Sequence, residues 1–268
     1  MLPADADPVR VLHISDMHLT PGRHRLMAFV RSLAALDPDL VVNTGDSIAS
    51  PDSIGPVLDC LGPLLDKPGA FVYGSNDLFS PKPKNPACYL WRTSAGEHEE
   101  YVPDLPWEKL GGELAAGGWL DLNNHRGRLT AGGLDIALAG VHDPHADRDR
   151  YDLVAGPADP AADLRLGVLH SPEPAVMDLF AADGYDLLLA GHTHGGQLRI
   201  PGYGALTTNC GIDRARVSGL SMHPPISPSG GNTAWLYVSA GLGTSPWAPV
   251  RFACRPEATL LTLVPRWA

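Results

Sequence analysis

Short, nearly continuous apolar runs recur along the chain, and several stop abruptly at glycine, carboxylate or imidazole. Residues 9–15, 39–44 and 69–73 are β-favouring and too brief for helices, as expected of strands buried on both faces. Between them, residues 23–36 set Leu26, Met27, Val30, Leu33 and Ala34 on one helical face. Residues 52–61 predict a second helix, with Asp52 or Ser53 near its N-cap. Strand–helix alternation of this kind predicts βαβ units and parallel pairing.

Residues 79–106 break the pattern. They are rich in proline, charge and aromatics, including Pro81, Lys82, Tyr89, Trp91 and Tyr101. The spacing predicts a long loop or small cap, a length that usually carries function. Strand character returns at 134–141, 164–169, 186–190, 235–240 and 258–263, with helices near 107–115 and 174–182. Residues 218–232, full of Ser, Pro and Gly, read as a surface loop. No repeat and no linker is evident, so the expectation is one domain over 1–268 with an insertion at 79–106.

Composition changes this picture little. The chain has 268 residues, 44% apolar and 19% charged, which is ordinary for a globular protein. Its net charge of −10 argues against nucleic acid and anionic lipid as partners of the bulk surface. A polyanionic substrate would then need a local positive site, which bound metal can supply. Cys60, Cys88, Cys210 and Cys254 form no CxxC and read as reduced core thiols, with a Cys210–Cys254 bridge left open. No stretch approaches the ~18 apolar residues of a membrane span. The first seven residues lack the basic and apolar regions of a signal peptide. The expected location is cytoplasmic or peripheral to a membrane, leaving open an upstream anchor that this chain lacks.

The run ends carry the chemistry. They read Asp16-Met17-His18, Gly45-Asp46, Gly74-Ser75-Asn76-Asp77, a lone His170, and Gly191-His192-Thr193-His194. Taken singly, Asp16 and Asp46 read as turn or capping residues, and a lone histidine as structural. Two histidines at i, i+2 among glycines are not a packing pattern. Together the segments gather oxygen and imidazole donors at strand ends, where a rigid sheet can hold a divalent metal. His13, inside the first run, reads as a satisfied core residue. His142 and His145 also follow a strand; a loop position is one reading and a catalytic acid the other.

In order and spacing these segments resemble the metallophosphoesterase, or calcineurin-like phosphoesterase, family. Its pattern is Asp-x-His, Gly-Asp, Gly-Asn-His-Asp/Glu, a lone His, and Gly-His-x-His, and four of the five blocks match. The tail Ser239-Ala240-Gly241-Leu242-Gly243 also resembles the closing strands of bacterial members. The resemblance implies an α/β fold, a four-layer α/β/β/α sandwich of two mixed sheets flanked by helices. It implies two divalent metals, manganese, iron or zinc, with manganese favoured. Asp16, His18 and His194 would bind one, His170, His192 and an Asn the other, and Asp46 both. It implies hydrolysis of phosphate esters by a metal-bridging hydroxide, most simply of a phosphodiester. A lipid head group or cell-envelope diester is the analogous substrate.

The third block departs from the family. Without a gap, Ser75 stands at the ligand Asn and Asn76 at the His; with a one-residue slip, Asn76 is the ligand and Asp77 the His. An amide carbonyl suits a hard metal better than a hydroxyl, which favours Asn76. Asp77 and His142 are then the candidate acids for the leaving group. Ser75, Lys84, Asn85 and Arg92 are candidate substrate contacts. The missing histidine predicts slow turnover, or a metal- and phospholigand-binding protein with little turnover.

Overall fold

The computed structural model describes residues 2–83, 102–225 and 232–265. Lys84, Asn85, Arg92 and Cys88, with most of the expected cap, lie outside the described residues. Two mixed sheets lie face to face. The first has the order β13-β1-β2-β3-β4, with strands β1 (Val9–Ile14), β2 (Leu40–Asn43), β3 (Gly69–Phe71), β4 (Leu120–Asp121) and β13 (Thr259–Leu263). All its pairs are parallel except β1 with β13. The second has the order β11-β12-β8-β7-β6-β5, built from β5 (His125–Ala131), β6 (Leu134–Gly140), β7 (Leu164–Val168), β8 (Leu187–Ala190), β11 (Gly219–His223) and β12 (Ala234–Val238). Its β6-β7-β8-β12 centre is parallel and both edges are antiparallel.

Alternation along the strands divides the core. Val9, Val11, Leu40 and Val42 face Ile136, Leu166, Val168 and Leu189 between the sheets. Their neighbours Leu12, Ile14 and Val41 turn the other way, onto helices α1 (His24–Ser32), α2 (Ile54–Leu65) and α4 (Trp107–Ala116). Helix α5 (Pro174–Ala182) covers the outer face of the second sheet through Val176, Met177 and Phe180. The expected four-layer α/β/β/α sandwich is therefore the observed fold.

Five strands escape a reading of periodicity. Strands β4, β9 (Arg199–Ile200) and β10 (Gly204–Ala205) are two residues long, and β5 alternates basic and small residues on an exposed edge. The fifth corrects an expectation: β11 lies inside the expected 218–232 loop and pairs along its length with β12. As an edge strand it needs only one face of partners, so its sequence carries no apolar run. The open Cys210–Cys254 bridge is not formed; Cys60, Cys210 and Cys254 are free thiols.

Candidate metal centre

Parallel pairing brings the sequence segments together, because parallel strands end on the same edge. Asp16 and Asp46 follow the neighbouring strands β1 and β2, and their turns are laced by main-chain bonds. The Asp16 amide donates to the Gly45 carbonyl at 2.9 Å, and the His18 amide to the Asp46 carbonyl at 2.8 Å. His170 follows β7, and His192 and His194 follow β8, its parallel neighbour. Two glycines permit the approach. A Cβ on Gly74 would stand 2.2 Å from Asp46 Oδ1, and one on Gly191 would stand 1.9 Å from Ser15 Oγ.

His18 Nε2 stands 3.1 Å from His194 Nε2 and 3.4 Å from Asp46 Oδ2. His194 Nε2 stands 3.6 Å from Asp16 Oδ1. One ligand atom from each of Asp16, His18, Asp46 and His194 falls within 4.8 Å of all the others. The same Asp46 Oδ2 faces His170 Nε2 at 3.5 Å on the other side, so one carboxylate oxygen lies between two imidazole groups. The rings of His170 and His192 meet edge to face, centroids 5.2 Å apart. Asp16, His18, Asp46, His192 and His194 all hold positive φ. Such backbone is costly outside glycine and persists where the surrounding structure enforces it.

The donor chemistry fits a divalent cation. His170 Nδ1 lies 2.6 Å from the Thr44 carbonyl, so it carries the proton of the neutral ring and leaves Nε2, on the side of Asp46, as the atom that can ligate. That buried Nε2 has no hydrogen-bond partner among the described residues. His192 Nε2 lies 3.1 Å from the Asn209 carbonyl, which turns its Nδ1 lone pair free. This is the arrangement in which a backbone carbonyl orients a metal-binding imidazole. Charge balance agrees. Burial opposes a proton on His170, yet Asp46, Asp143 and Asp16 hold its pKa well above the ordinary value. Burial would raise Asp46, but His170 and His18 hold it well below the carboxylate range. Buried carboxylates that draw a proton onto an imidazole call for positive charge there. Burial, with His145 and His170 nearby, keeps His192 neutral, the form that ligates.

Residues 9–196 match the model of the calcineurin-like phosphoesterase family. The chain belongs to that family. Three curated relatives extend the match. Phosphodiesterase YaeI of Escherichia coli K12 is 26% identical over 266 residues, 97% of this chain and 84% of that protein. The uncharacterized metallophosphoesterase YkuE of Bacillus subtilis 168 is 27% identical over 271 residues, covering 98% and 82%. A bovine transmembrane protein with metallophosphoesterase domain is 29% identical over 213 residues, covering 74% and 43%. Phosphoester hydrolysis with divalent metal is thus the family-level chemistry, and Asp16, His18, Asp46 and His194 are a candidate metal-binding group. Among the described residues of this phosphoesterase, no helix is long and apolar enough to cross a membrane.

The altered third block behaves differently from the expectation for Asp77. That side chain is buried, and it accepts four main-chain N–H groups: Asp46 and Gly74 on Oδ2 at 2.8 and 3.0 Å, Ser47 and Ile48 on Oδ1 at 2.7 and 3.1 Å. Burial and the Asp46 charge push its pKa up to about 7 even against these N–H groups, whose four bonds fill a carboxylate's lone pairs. Both oxygens are engaged by main-chain N–H groups, so Asp77 is placed as a clamp on the Asp46 turn. Asn76 lies against Asp46, its main-chain N–H and its side-chain Nδ2 each donating to that carboxylate at 2.8 Å. Ser75 opens the four-residue helix α3 (Ser75–Leu78) and is half-buried.

His142 is buried against Tyr73 and Trp107, two residues beyond the Gly140–Val168 pair and so level with His170 on the next strand. Its Nδ1 accepts from the Asp143 amide, and its Nε2 has no partner among the described residues. Burial, helped by Arg148 and His170, lowers its pKa to about 4. His145 packs on a candidate ligand, its ring centroid 4.5 Å from that of His192.

Sequence reasoning missed Arg251. Its guanidinium reaches His194 Nδ1 at 3.1 Å and donates to the Ala240, Gly241 and Gly243 carbonyls at 2.8, 3.2 and 2.5 Å. It thereby ties the His194 ring to the turn that follows β12. Also missed was a buried relay: His13 Nε2 to Thr44 Oγ1 at 2.9 Å, Thr44 to Ser15 at 2.7 Å, Ser15 to Asp16 Oδ2 at 2.5 Å. The polar residues His13, Ser15 and Thr44 in runs otherwise fit for a buried strand were the available signal; for Arg251 there was none, since its partners lie far along the chain.

Proposed function

We propose that this phosphoesterase is a binuclear metal-dependent phosphodiesterase. The observation that carries the proposal is Asp46 Oδ2 between His18 and His170, at 3.4 and 3.5 Å. Asp16, His18 and His194 would hold one cation, and His170, His192 and either Asn76 or Ser75 the other, with Asp46 common to both. Manganese, iron or zinc suits these donors, and manganese is favoured. Two such cations supply Lewis-acid charge to phosphate oxygens and acidify a water nucleophile. The Thr44 and Asn209 carbonyls fix the tautomers of His170 and His192, and Asp77 holds the turn that presents Asp46.

The family's third-block histidine is absent from this chain; where Ser75 is the ligand, Asn76 stands in its place and can donate a hydrogen bond but no proton. His142, neutral at pH 7, offers an Nε2–H donor to a leaving oxygen in the same way. Hydrogen-bond donors without a proton donor favour substrates whose leaving group is already acidic. Ser75, with Lys84, Asn85 and Arg92 of the 79–106 segment, would meet the rest of the substrate. A phosphodiester of a lipid head group or of the cell envelope is the class proposed, met at the membrane periphery. The whole of 1–268 is proposed to act as one domain with that segment as its cap.

The test is to strip the protein of metal, restore manganese, and measure hydrolysis of bis(p-nitrophenyl) phosphate beside p-nitrophenyl phosphate. Metal-dependent cleavage of the diester, lost in Asp46→Asn together with bound metal, is the expected result. Cleavage of the monoester alone makes the protein a phosphatase. Two bound metals with neither reporter cleaved would favour the metal- and phospholigand-binding reading that the missing third-block histidine suggests.

A further inference from the structure

The segment that delivers Arg251 also builds a surface. The Phe252 amide donates to the Gln197 carbonyl and the Arg199 amide to the Phe252 carbonyl, both at 3.0 Å, laying 248–252 along the strand that leaves His194. The Gln197 side chain secures the pair by donating to the Ala248 and Val250 carbonyls at 2.6 and 2.9 Å. Extended backbone alternates its side chains. Arg251 turns onto His194, while Val250 and Phe252 on either side of it stand 62% and 61% exposed. Ile200, Tyr203 and Trp247 extend the rim and are also exposed. The Trp247 indole is held in place, its Nε1 donating to the Pro81 carbonyl at 2.8 Å.

The segment that carries this face differs in charge from the rest of the chain. From 194 to 256 there are five arginines, one aspartate, and no lysine or glutamate, in a protein of net charge −10. Arg214 lies over the Tyr203 ring, 5.2 Å from its centroid, and donates to its hydroxyl. On the other flank an open cavity of about 720 Å³ is lined by Arg23, Arg25, Arg251, Leu242 and Pro249, and no carboxylate lines it. Exposed aromatic and aliphatic side chains between arginines are the composition of an interfacial surface, where apolar groups enter the head-group boundary and guanidinium groups meet phosphate. The acidic remainder of the protein does not cancel this, since at physiological salt charges more than ~8 Å away are largely screened.

We propose that this rim, beside His194, docks the protein on an anionic lipid bilayer. The inference concerns where the protein sits and stands whether or not the metal centre cleaves diesters. The experiment is co-sedimentation of the metal-loaded protein with phosphatidylcholine vesicles, with and without phosphatidylglycerol, at low and high salt. Binding is expected only with phosphatidylglycerol, and weaker at high salt. Val250→Ser combined with Phe252→Ser should weaken it roughly tenfold or more. Arg25→Gln combined with Arg214→Gln should remove most of its salt dependence and gives a second test that leaves Val250 and Phe252 intact. Metal content and melting temperature equal to wild type would establish that each variant is folded. Absence of binding to phosphatidylglycerol vesicles overturns the proposal, as does equal binding by wild type and both variants. Self-association lost in the Val250→Ser/Phe252→Ser protein, without vesicle binding, would overturn it in favour of a second copy of this chain.

Discussion

Asp77 owes its chemistry to its neighbours rather than to its type. A carboxylate that accepts four N–H groups gathers the start of the Asp46 turn and the end of β3 onto one side chain. Asp77→Asn keeps the shape but sets an NH₂ against main-chain donors. With buried unsatisfied groups costing ~1–3 kcal/mol each, the loss should reach about 3 kcal/mol. Urea unfolding of the two proteins measures it, and equal midpoints would remove the clamp from the account. At the neighbouring positions, Ser75→Ala and Asn76→Ala separate the two registers. If Asn76 is the ligand, Asn76→Ala should bind one metal fewer by elemental analysis while Ser75→Ala keeps both. The reverse result puts Ser75 at the ligand position and Asn76 at that of the family's histidine.

Among the elements, β1 carries the clearest pH dependence. His13 is fully buried within it, and burial lowers its pKa to about 4 against 6.5 in a free chain, while Asp16 works weakly the other way. The folded state therefore holds His13 neutral and the unfolded state takes up the proton first. Its contribution is complete above pH 6.5 and is lost as the pH falls from there towards 4. The span corresponds to an effect on the order of 3 kcal/mol. Urea unfolding at pH 7 and pH 5 should show a fall in stability for the wild type and a smaller one for His13→Gln. Parallel falls would assign the dependence to other groups. Because His13 is hydrogen-bonded through Thr44 and Ser15 to Asp16, the same change should also loosen the Asp16 side of the site.

At the scale of the whole molecule, the two sheets meet at an edge crowded with buried carboxylates and imidazoles, and cations held by them would be bound only in the folded state. Chelation should therefore lower the melting temperature. A site held at 100 times its Kd contributes about 2.7 kcal/mol, or roughly 5–10 °C in a domain of this size. Scanning calorimetry with chelator and after manganese is restored checks this, and identical melting curves would mean that no metal is held there.

The sequence by itself determined the buried strands and the ligand types, while the four layers were what the resemblance of its strand ends to a known family implied. Short continuous apolar runs read as strands buried on both faces, and the oxygen and imidazole donors recurring at their ends read together as ligands at strand ends. It could not determine which donor faces which, because Asp77 and Asn76 are adjacent in sequence and differ only in what packs around them. Nor could it show β11, whose partner supplies the order that its composition lacks. Tertiary structure alone decided that Asp77 binds amides, that His145 rather than His142 packs on His192, and that Arg251, 57 positions away along the chain, holds His194. Local pattern records burial, which is averaged over a strand; the role of a single polar group is set by the few atoms within hydrogen-bond reach, and folding brings those from distant parts of the chain.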